Sequence, residues 1–90
     1  MGITVNIHQA LRHLTNKQAT VSVSGTTVSE CLDDLIQRFP EMKPKLFGKN
    51  GKLLHYIDIY VNRDSSYPED LAKPVKDGDR LSITFMIAGG

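Results

Sequence analysis

The fold is decided by the stretch at residues 27–39, TVSECLDDLIQRF. Its apolar residues recur at spacings of three and four, the period of a helix with one buried face; they are Val28, Cys31, Leu32, Leu35, Ile36 and Phe39. Thr27 and Glu30 stand three residues apart, as in a capping box whose side chains bind each other's backbone N–H groups. Pro40 ends the pattern, because the residue before a proline is pushed out of the helical region. The stretch predicts one amphipathic helix over residues 28–39.

Alternating stretches lie on both sides of this helix. Two precede it, at residues 3–8 and 19–24, and two follow it, at residues 56–61 and 81–87. A period of two predicts strands with one buried face. The residues predicted to face the core are Ile3, Val5, Ile7, Ala19, Val21, Val23, Ile57, Ile59, Val61, Leu81, Ile83, Phe85 and Ile87. Because the first two stretches are close in sequence, we expect them to form an antiparallel hairpin.

The segments between these elements have the composition of loops. Residues 42–54 contain Pro44, Gly48 and Asn50-Gly51, and we expect this segment to be irregular. Asp77-Gly78-Asp79 predicts a tight turn into the last strand, since aspartate and glycine favour turns through local hydrogen bonds and positive φ angles.

The order of elements is strand, strand, helix, loop, strand, turn, strand and tail. One-sided strands and one amphipathic helix must bury their apolar faces on each other, which gives a two-layer α+β domain. A mixed sheet of about four to five strands packed on one main helix is the β-grasp arrangement. The sequence predicts a β-grasp domain over residues 1–84 and an extended tail over residues 85–90, ending in Gly89-Gly90.

The charge balance bears on the possible partners. The chain has 11 basic and 10 acidic residues, for a net charge of +1. Nucleic-acid-binding proteins usually carry a basic surplus on one face, so we expect no nucleic acid partner. No apolar run approaches the length that crosses a membrane, so we expect a cytoplasmic protein that does not bind membranes.

Several motifs together carry a resemblance to a known family. They are Ile59-Tyr60-Val61-Asn62, Asp77-Gly78-Asp79 and the final Ala88-Gly89-Gly90, in the element order given above. In this respect the chain resembles the ubiquitin-like sulfur carriers, which serve molybdopterin, thiamine-thiazole and one route of cysteine biosynthesis. The similarity covers essentially the whole chain and is greatest to the carrier of thiocarboxylate-dependent cysteine biosynthesis. The segments that favour that carrier are Ile3-Thr4-Val5, Leu11-Arg12, Thr15, Gly51-Lys52-Leu53 and residues 59–62.

The resemblance implies a carrier that is acted on by other enzymes and is not itself an enzyme. The carboxylate of Gly90 would be adenylated and converted to a thiocarboxylate, with Gly89 and Ala88 required for access to the partner's active site. Glycine suits this task because it lacks a Cβ and tolerates close approach. Phe85, Met86 and Ile87 would contact the partner. Several family members have proline in this approach to the tail, and the departure here leaves the pathway open.

The implied partners follow from this chemistry. They are an ATP-dependent activating enzyme of the ubiquitin-activating type, a sulfurtransferase or other sulfur donor, and an acceptor synthase. The carrier itself would bind no cofactor. The acceptor would be a molybdopterin precursor, a thiazole precursor or an activated serine on a pyridoxal-phosphate-dependent cysteine synthase, and the last is favoured. Two alternatives stay open: a modifier joined through Gly90 to lysines of target proteins, and a β-grasp interaction module that does not use its tail.

Other residues that could carry chemistry have simpler interpretations. Cys31 lies on the apolar stripe of the helix, where a cysteine usually behaves as a small hydrophobic residue. His8, His13 and His55 have neither the helical spacing nor the cysteine partners of a metal site, and none is expected. We expect His8 to lie on the surface.

Overall fold

The computed structural model describes residues 2–67 and 69–85. The strands are β1 (Ile3–Asn6), β2 (Thr20–Val23), β3 (Ile57–Val61), β4 (Asp64–Ser65) and β5 (Arg80–Phe85). The helices are α1 (Val28–Arg38) and the short α2 (Lys43–Leu46). Three 3₁₀ helices, Gln9–Leu14, Pro40–Met42 and Asp70–Ala72, lie in the connections.

The five strands form one mixed sheet in the order β2-β1-β5-β3-β4. β1 pairs antiparallel with β2 and parallel with β5, while β3 pairs antiparallel with both β5 and β4. The strand nearest the end of the chain therefore lies in the middle of the sheet. This sheet, with α1 packed on one face, confirms the predicted β-grasp fold.

The core forms where the inner face of the sheet meets α1. All the predicted inward residues of β1, β2 and β3 are buried, together with Leu81 and Ile83 of β5. From α1 they meet Val28, Cys31, Leu32 and Leu35, each 0% exposed. The alternating pattern of the strands and the apolar stripe of the helix are thus confirmed, because both face the same core. Ala19 is an exception: it lies before β2 and is exposed.

The segment after α1 is more ordered than its prolines and glycines predicted. Residues 40–46 form a 3₁₀ helix followed by α2, and both Met42 and Leu46 are 0% exposed. Pro40 and Pro44 each lie in the first turn of a helix, where the missing N–H leaves no hydrogen bond unmade. The expectation of an irregular segment at residues 42–54 was wrong over residues 42–46, because proline starts these helices and does not interrupt them.

The start of α1 differs in detail from the predicted capping box. The Thr27 hydroxyl accepts a hydrogen bond from the N–H of Glu30 at 3.2 Å, as expected. The Glu30 carboxylate, however, accepts from the N–H of Thr26 at 2.7 Å and from its hydroxyl at 2.8 Å, not from the N–H of Thr27. The N–H and then the hydroxyl of Thr26 hold the pKa of Glu30 below its ordinary value. The hydrogen bond from the Glu30 side chain back to the start of the helix is therefore made with Thr26, one residue earlier than in a capping box.

The turn before β5 is tied to the end of β3. Gly78 has a φ of +91°, which confirms the predicted tight turn. The Asp79 carboxylate accepts from the N–H of Lys76 at 3.0 Å and from the side-chain amide of Asn62 at 3.2 Å, and these bonds lower its pKa. Asn62 has a φ of +58° and also accepts the N–H of Arg80. These contacts set the register in which β5 enters the sheet.

The last strand begins at Arg80, one residue before the alternating stretch predicted at residues 81–87, and it includes the first residue of the predicted tail. β5 includes Phe85, which is opposite Ile57 of β3, whereas the predicted tail began at Phe85. The predicted tail residues Met86–Gly90 lie outside the described residues. The division into a domain and a tail therefore stays a prediction, with pairing extending at least one residue beyond Thr84.

Candidate functional site

The candidate site is the point at which the chain leaves the sheet after β5. β1 is parallel to β5, and β3 is antiparallel to it. The end of β1, the start of β3 and the end of β5 therefore lie at the same end of the sheet. Each of these positions carries an aromatic ring: His8 follows β1, Tyr56 precedes β3, and Phe85 ends β5. We call these three residues the tail-root cluster.

The rings of the tail-root cluster are in contact. His8 meets Phe85 edge to face, with ring centroids 4.5 Å apart, and Tyr56 lies 6.1 Å from Phe85. His55 adds an edge-to-face contact with Tyr56 at 5.2 Å. Nδ1 of His8 accepts the N–H of Ala10 at 3.0 Å, so the ring orientation is fixed by the backbone. Such aromatic pairs contribute about 0.5–1.5 kcal/mol each beyond the apolar area that they bury.

Exposed large apolar residues lie near this end of the sheet. Within residues 2–67 and 69–85, the exposed large hydrophobic residues are Tyr56, at 39%, and Tyr67, at 75%. A shallow pocket of about 460 Å³ lies beside them, and its walls include Leu53, Leu54 and Ile57. The outer face of the sheet is otherwise polar, with the side chains of Thr4, Asn6, Asp58, Tyr60, Ser82 and Thr84 along it. The two exposed tyrosines and this pocket therefore offer an apolar partner surface a matching area near the end of β5.

The predicted site residues are only partly described. Phe85 is half-buried, packed against the core on one side and against His8 on the other. Met86, Ile87, Ala88, Gly89 and Gly90 lie outside the described residues, so their predicted roles remain predictions. The part played by His8 and Tyr56 was not predicted from the sequence. The only sequence signal was that each is the end residue of a predicted strand, and this does not show which residues are neighbours until the strand order is known.

The structure bears out the simpler interpretation of the cysteine. Cys31 is 0% exposed in the middle of the core, and it is a free thiol. Burial, followed by the nearby charges of Glu30 and Asp34, raises the pKa of the Cys31 thiol to about 11. A thiolate is the reactive form, and a pKa of about 11 leaves roughly 0.1% of it at pH 8.

Alkylation of Cys31 is therefore expected to be slow in the native protein. At pH 8, iodoacetamide should modify the folded chain about a hundredfold more slowly than the same chain unfolded in urea, where the thiol regains an ordinary pKa. Mass spectrometry at timed intervals measures both rates, and the urea sample serves as the control. Equal rates in the two samples would make Cys31 a reactive thiol and reopen a chemical role for it.

Among the residues that the structure describes, no three histidine, cysteine, aspartate or glutamate side chains are grouped closely enough to hold a metal ion. No helix in the same part of the chain is long and apolar enough to span a bilayer.

Known proteins resemble this chain in both sequence and fold. The sequence model of the ThiS family matches residues 5–90. The sulfur carrier protein CysO of Mycobacterium tuberculosis is 36% identical over 93 aligned positions, which span all of both chains. In the crystal structure of the Amycolatopsis orientalis BexX/CysO complex, one chain superposes with a TM-score of 0.89 and 37% identity. That match covers 99% of the present chain and 100% of the other.

A further relative has a different name. Small archaeal modifier protein 1 of Haloferax volcanii is 28% identical over 76 residues, covering 83% of this chain and 84% of the relative. The match to the family over residues 5–90 and the end-to-end similarity to a named carrier agree with the β-grasp fold described above. The chain belongs to the ThiS family and is a sulfur carrier protein of the ThiS and CysO type.

Proposed function

We propose that Gly90 carries the sulfur as a C-terminal thiocarboxylate. An oxygen of the Gly90 carboxylate attacks the α-phosphorus of ATP, and pyrophosphate leaves. Hydrosulfide then attacks the acyl carbon of the adenylate, and AMP leaves with the electron pair of the broken C–O bond. ATP and the sulfur donor are held by partner enzymes. The observation that carries this proposal is the full-length similarity to a sulfur carrier protein, combined with a diglycine at positions 89–90.

The position of β5 supports delivery of Gly90 into another protein. Five residues follow Phe85, and an extended chain of that length spans at most roughly 16–18 Å. The last two lack side chains and Ala88 has only a methyl group, so this part fits a narrow channel. The body of the carrier would stay outside that channel while Gly90 reaches the nucleotide.

We place the docking surface for the activating enzyme at the tail root. The proposed contact segment is Phe85, Met86 and Ile87. Tyr56, which belongs to the tail-root cluster, lies beside Phe85 and enlarges the proposed contact surface. A carrier similar to this chain was crystallised in a complex with BexX, which supports the view that such carriers bind partner proteins through a defined surface. Aromatic residues at the centre of an interface commonly supply a large share of its binding free energy.

Replacing Tyr56 with alanine should therefore weaken docking. We expect Tyr56→Ala to raise the KM of the activating enzyme for the carrier about tenfold, with kcat little changed, because the lost contact lies outside the reacting atoms. Steady-state pyrophosphate release measures both constants. Tyr60→Ala is the matched control, since Tyr60 lies within β3, four residues after Tyr56, and is opposite Ser82, three residues before Phe85. Equal effects of the two substitutions would remove the tail root as the docking surface.

The proposed pathway is cysteine biosynthesis, with molybdopterin and thiamine-thiazole synthesis as the other destinations. The similarity to CysO proteins favours it, as do the segments at residues 51–53 and 59–62. The acceptor would be an activated serine on a pyridoxal-phosphate-dependent synthase. Because activation consumes ATP, the cytoplasm is the proposed location.

The experiment that tests the carrier proposal is intact-mass analysis of the protein from its native cell. A thiocarboxylate has sulfur in place of one oxygen, and this raises the mass of the chain by the difference between the two atoms. After treatment with an alkylating agent, this species should be replaced by its heavier alkylated form. Incubation with each candidate activating enzyme, ATP and sulfide should reproduce the increase in vitro. Absence of the increase under all these conditions would refute the carrier chemistry.

The relative named as an archaeal modifier favours a second candidate function. In this case the same adenylate at Gly90 would be attacked by a lysine amine, giving an isopeptide bond and releasing AMP. The 28% identity to that protein is the observation in its favour. Higher-mass conjugates that contain the carrier joined through Gly90 to lysine would support this function, and free thiocarboxylate alone would exclude it.

A further inference from the structure

The two edges of the sheet differ in how much backbone they leave free. β4 forms one edge and has only two residues, Asp64–Ser65. β2 forms the other edge with four residues, Thr20–Val23, and within the described residues its only strand neighbour is β1. An edge strand presents a row of backbone N–H and C=O groups that a further strand can pair with. β2 is therefore the longer open edge.

The register shows which groups of β2 point outward. The N–H of Ile7 donates to the carbonyl of Ala19 at 2.8 Å, so Asn6 and Thr20 form a non-hydrogen-bonded pair. By alternation, the N–H and C=O groups of Thr20 and Ser22 point away from β1. The side chains of Val21 and Val23 are buried, which fixes this register against a slip.

This edge lacks the features that usually protect an exposed strand. Natural edge strands carry lysines, prolines or bulges that block pairing with other chains. Residues 18–25, QATVSVSG, contain no charged residue and no proline, and the register with β1 has no bulge. Thr20, Ser22 and Ser24 are exposed and small, so a neighbouring backbone can approach closely.

Cations lie at both ends of the edge. At one end, Ser22, Ser24 and Arg38 line a groove of about 340 Å³ between β2 and α1. Asp34 accepts the N–H of Ser24 at 2.9 Å and one N–H of Arg38 at 3.2 Å, and the Arg38 side chain is 49% exposed. A guanidinium has five N–H donors, so Arg38 can bind a second carboxylate.

At the other end, exposed Lys17 directly precedes this segment. Its loop is fixed in place, since the N–H of Lys17 donates to the carbonyl of Arg12 at 2.8 Å. The hydroxyl of buried Thr15 donates to the carbonyl of Gln18 at 2.9 Å. The backbone that carries Lys17 is therefore held in place, and Lys17 and Arg38 supply positive charge beside a strand that carries no charge itself.

We propose that β2 binds an extended, acidic segment of a partner protein, which adds to the sheet as a sixth strand. Backbone pairing with Thr20 and Ser22 would supply the affinity, and carboxylates opposite Arg38 and Lys17 would supply the selectivity. β1 separates β2 from β5, so this site lies about two strand spacings, roughly 10 Å, from the strand that carries the tail. A partner held at β2 thus leaves Gly90 free to react elsewhere. The inference is independent of the carrier chemistry, and either can fail alone.

The experiment uses a defined peptide and the amide protons of the full chain. The probe is a capped heptapeptide of alternating valine and threonine with glutamate at both ends, and the control peptide has lysine at both ends. With the glutamate peptide near saturation, hydrogen exchange at the N–H groups of Thr20 and Ser22 should slow by about tenfold or more. The lysine peptide should bind at least about tenfold more weakly, because it places cations against Arg38 and Lys17.

Two variants separate backbone pairing from charge. Ser22→Pro removes an outward N–H that the sheet does not use and should abolish binding, while Ser22→Ala keeps that N–H and should bind normally. Arg38→Gln should weaken binding of the glutamate peptide about fivefold to tenfold. If Ser22→Pro does not fold, the exchange data on the unaltered chain and the Arg38→Gln result still show whether the peptide pairs with β2.

Unchanged exchange with the glutamate peptide, or equal binding of both peptides, would overturn the proposal. So would a dimer in sedimentation that already protects Thr20 and Ser22.

Discussion

Removal of Gly90 alone is expected to abolish thiocarboxylate formation. The shortened chain still ends in a glycine carboxylate, but that carboxylate lies about 3.3–3.6 Å short of the wild-type position when the body is docked. Misplacement of a reacting group by about 1 Å can cost a hundredfold in rate, so we expect a loss of at least that size. Intact-mass analysis after incubation with activating enzyme, ATP and sulfide measures the product directly.

The stability of the shortened chain should not change. All core residues that the structure describes lie at or before Ile83, except for the half-buried Phe85 that packs against them. Urea unfolding of the two proteins should therefore give the same midpoint. Ala88→Gly is the matched control, because it keeps the length and removes only a methyl group, and it should retain activity. Full thiocarboxylate formation on the shortened chain would show that the reaction does not depend on the position of the Gly90 carboxylate, and it would refute the role proposed for this residue.

Replacement of Leu32 with alanine is expected to cause a large loss of stability. Leu32 is 0% exposed and lies in the middle of the helix, facing the sheet. Truncating a buried leucine removes the transfer free energy of its methyl groups and leaves a cavity, at a combined cost of about 2–5 kcal/mol. A domain of this size has a total stability of only about 5–15 kcal/mol, so the variant should unfold at a much lower urea concentration.

The neighbouring residue offers the control for this substitution. Asp33 is exposed and lies on the solvent side of the same helix, so Asp33→Ala should change the unfolding free energy by less than about 0.5 kcal/mol. Alanine has a higher helix propensity than either leucine or aspartate, so a change in propensity does not account for a loss of stability in Leu32→Ala. A Leu32→Ala midpoint close to that of Asp33→Ala would contradict the packing described for the core.

Local patterns were sufficient to predict the main elements. The spacing of Val28, Cys31, Leu32 and Leu35 predicted α1, and the alternation around Val5 and Ile59 predicted strands, because each pattern reflects burial of one face. Their order was enough to suggest the β-grasp arrangement, and the resemblance to a known family added its function. The segment at 40–46 was missed because prolines at the starts of short helices look the same in sequence as prolines in loops.

The candidate site could be predicted only in part for a different reason. The roles of Gly90 and its neighbours were predicted from their chemistry and from the family resemblance, which need no long-range information, and they stay predictions. The contact of His8 with Phe85 depends on the parallel pairing of β1 with β5, which joins residues more than 70 positions apart. No local pattern specifies which strands are neighbours in a mixed sheet. Tyr56 was likewise known as an outward residue but not as a neighbour of the tail.

The central place of β5 has a consequence for how the protein is made. During synthesis β1 and β2 leave the ribosome first, but β1 and β3 become linked through the sheet only when β5 is inserted between them. Contacts so distant in sequence form late and slowly. A nascent chain that stops short of Arg80 therefore lacks the middle of its sheet as well as Gly90, the proposed site of sulfur attachment. If Gly90 is activated as proposed, its carboxylate becomes available only when the sheet can be completed, and the activating enzyme does not act on unfinished chains.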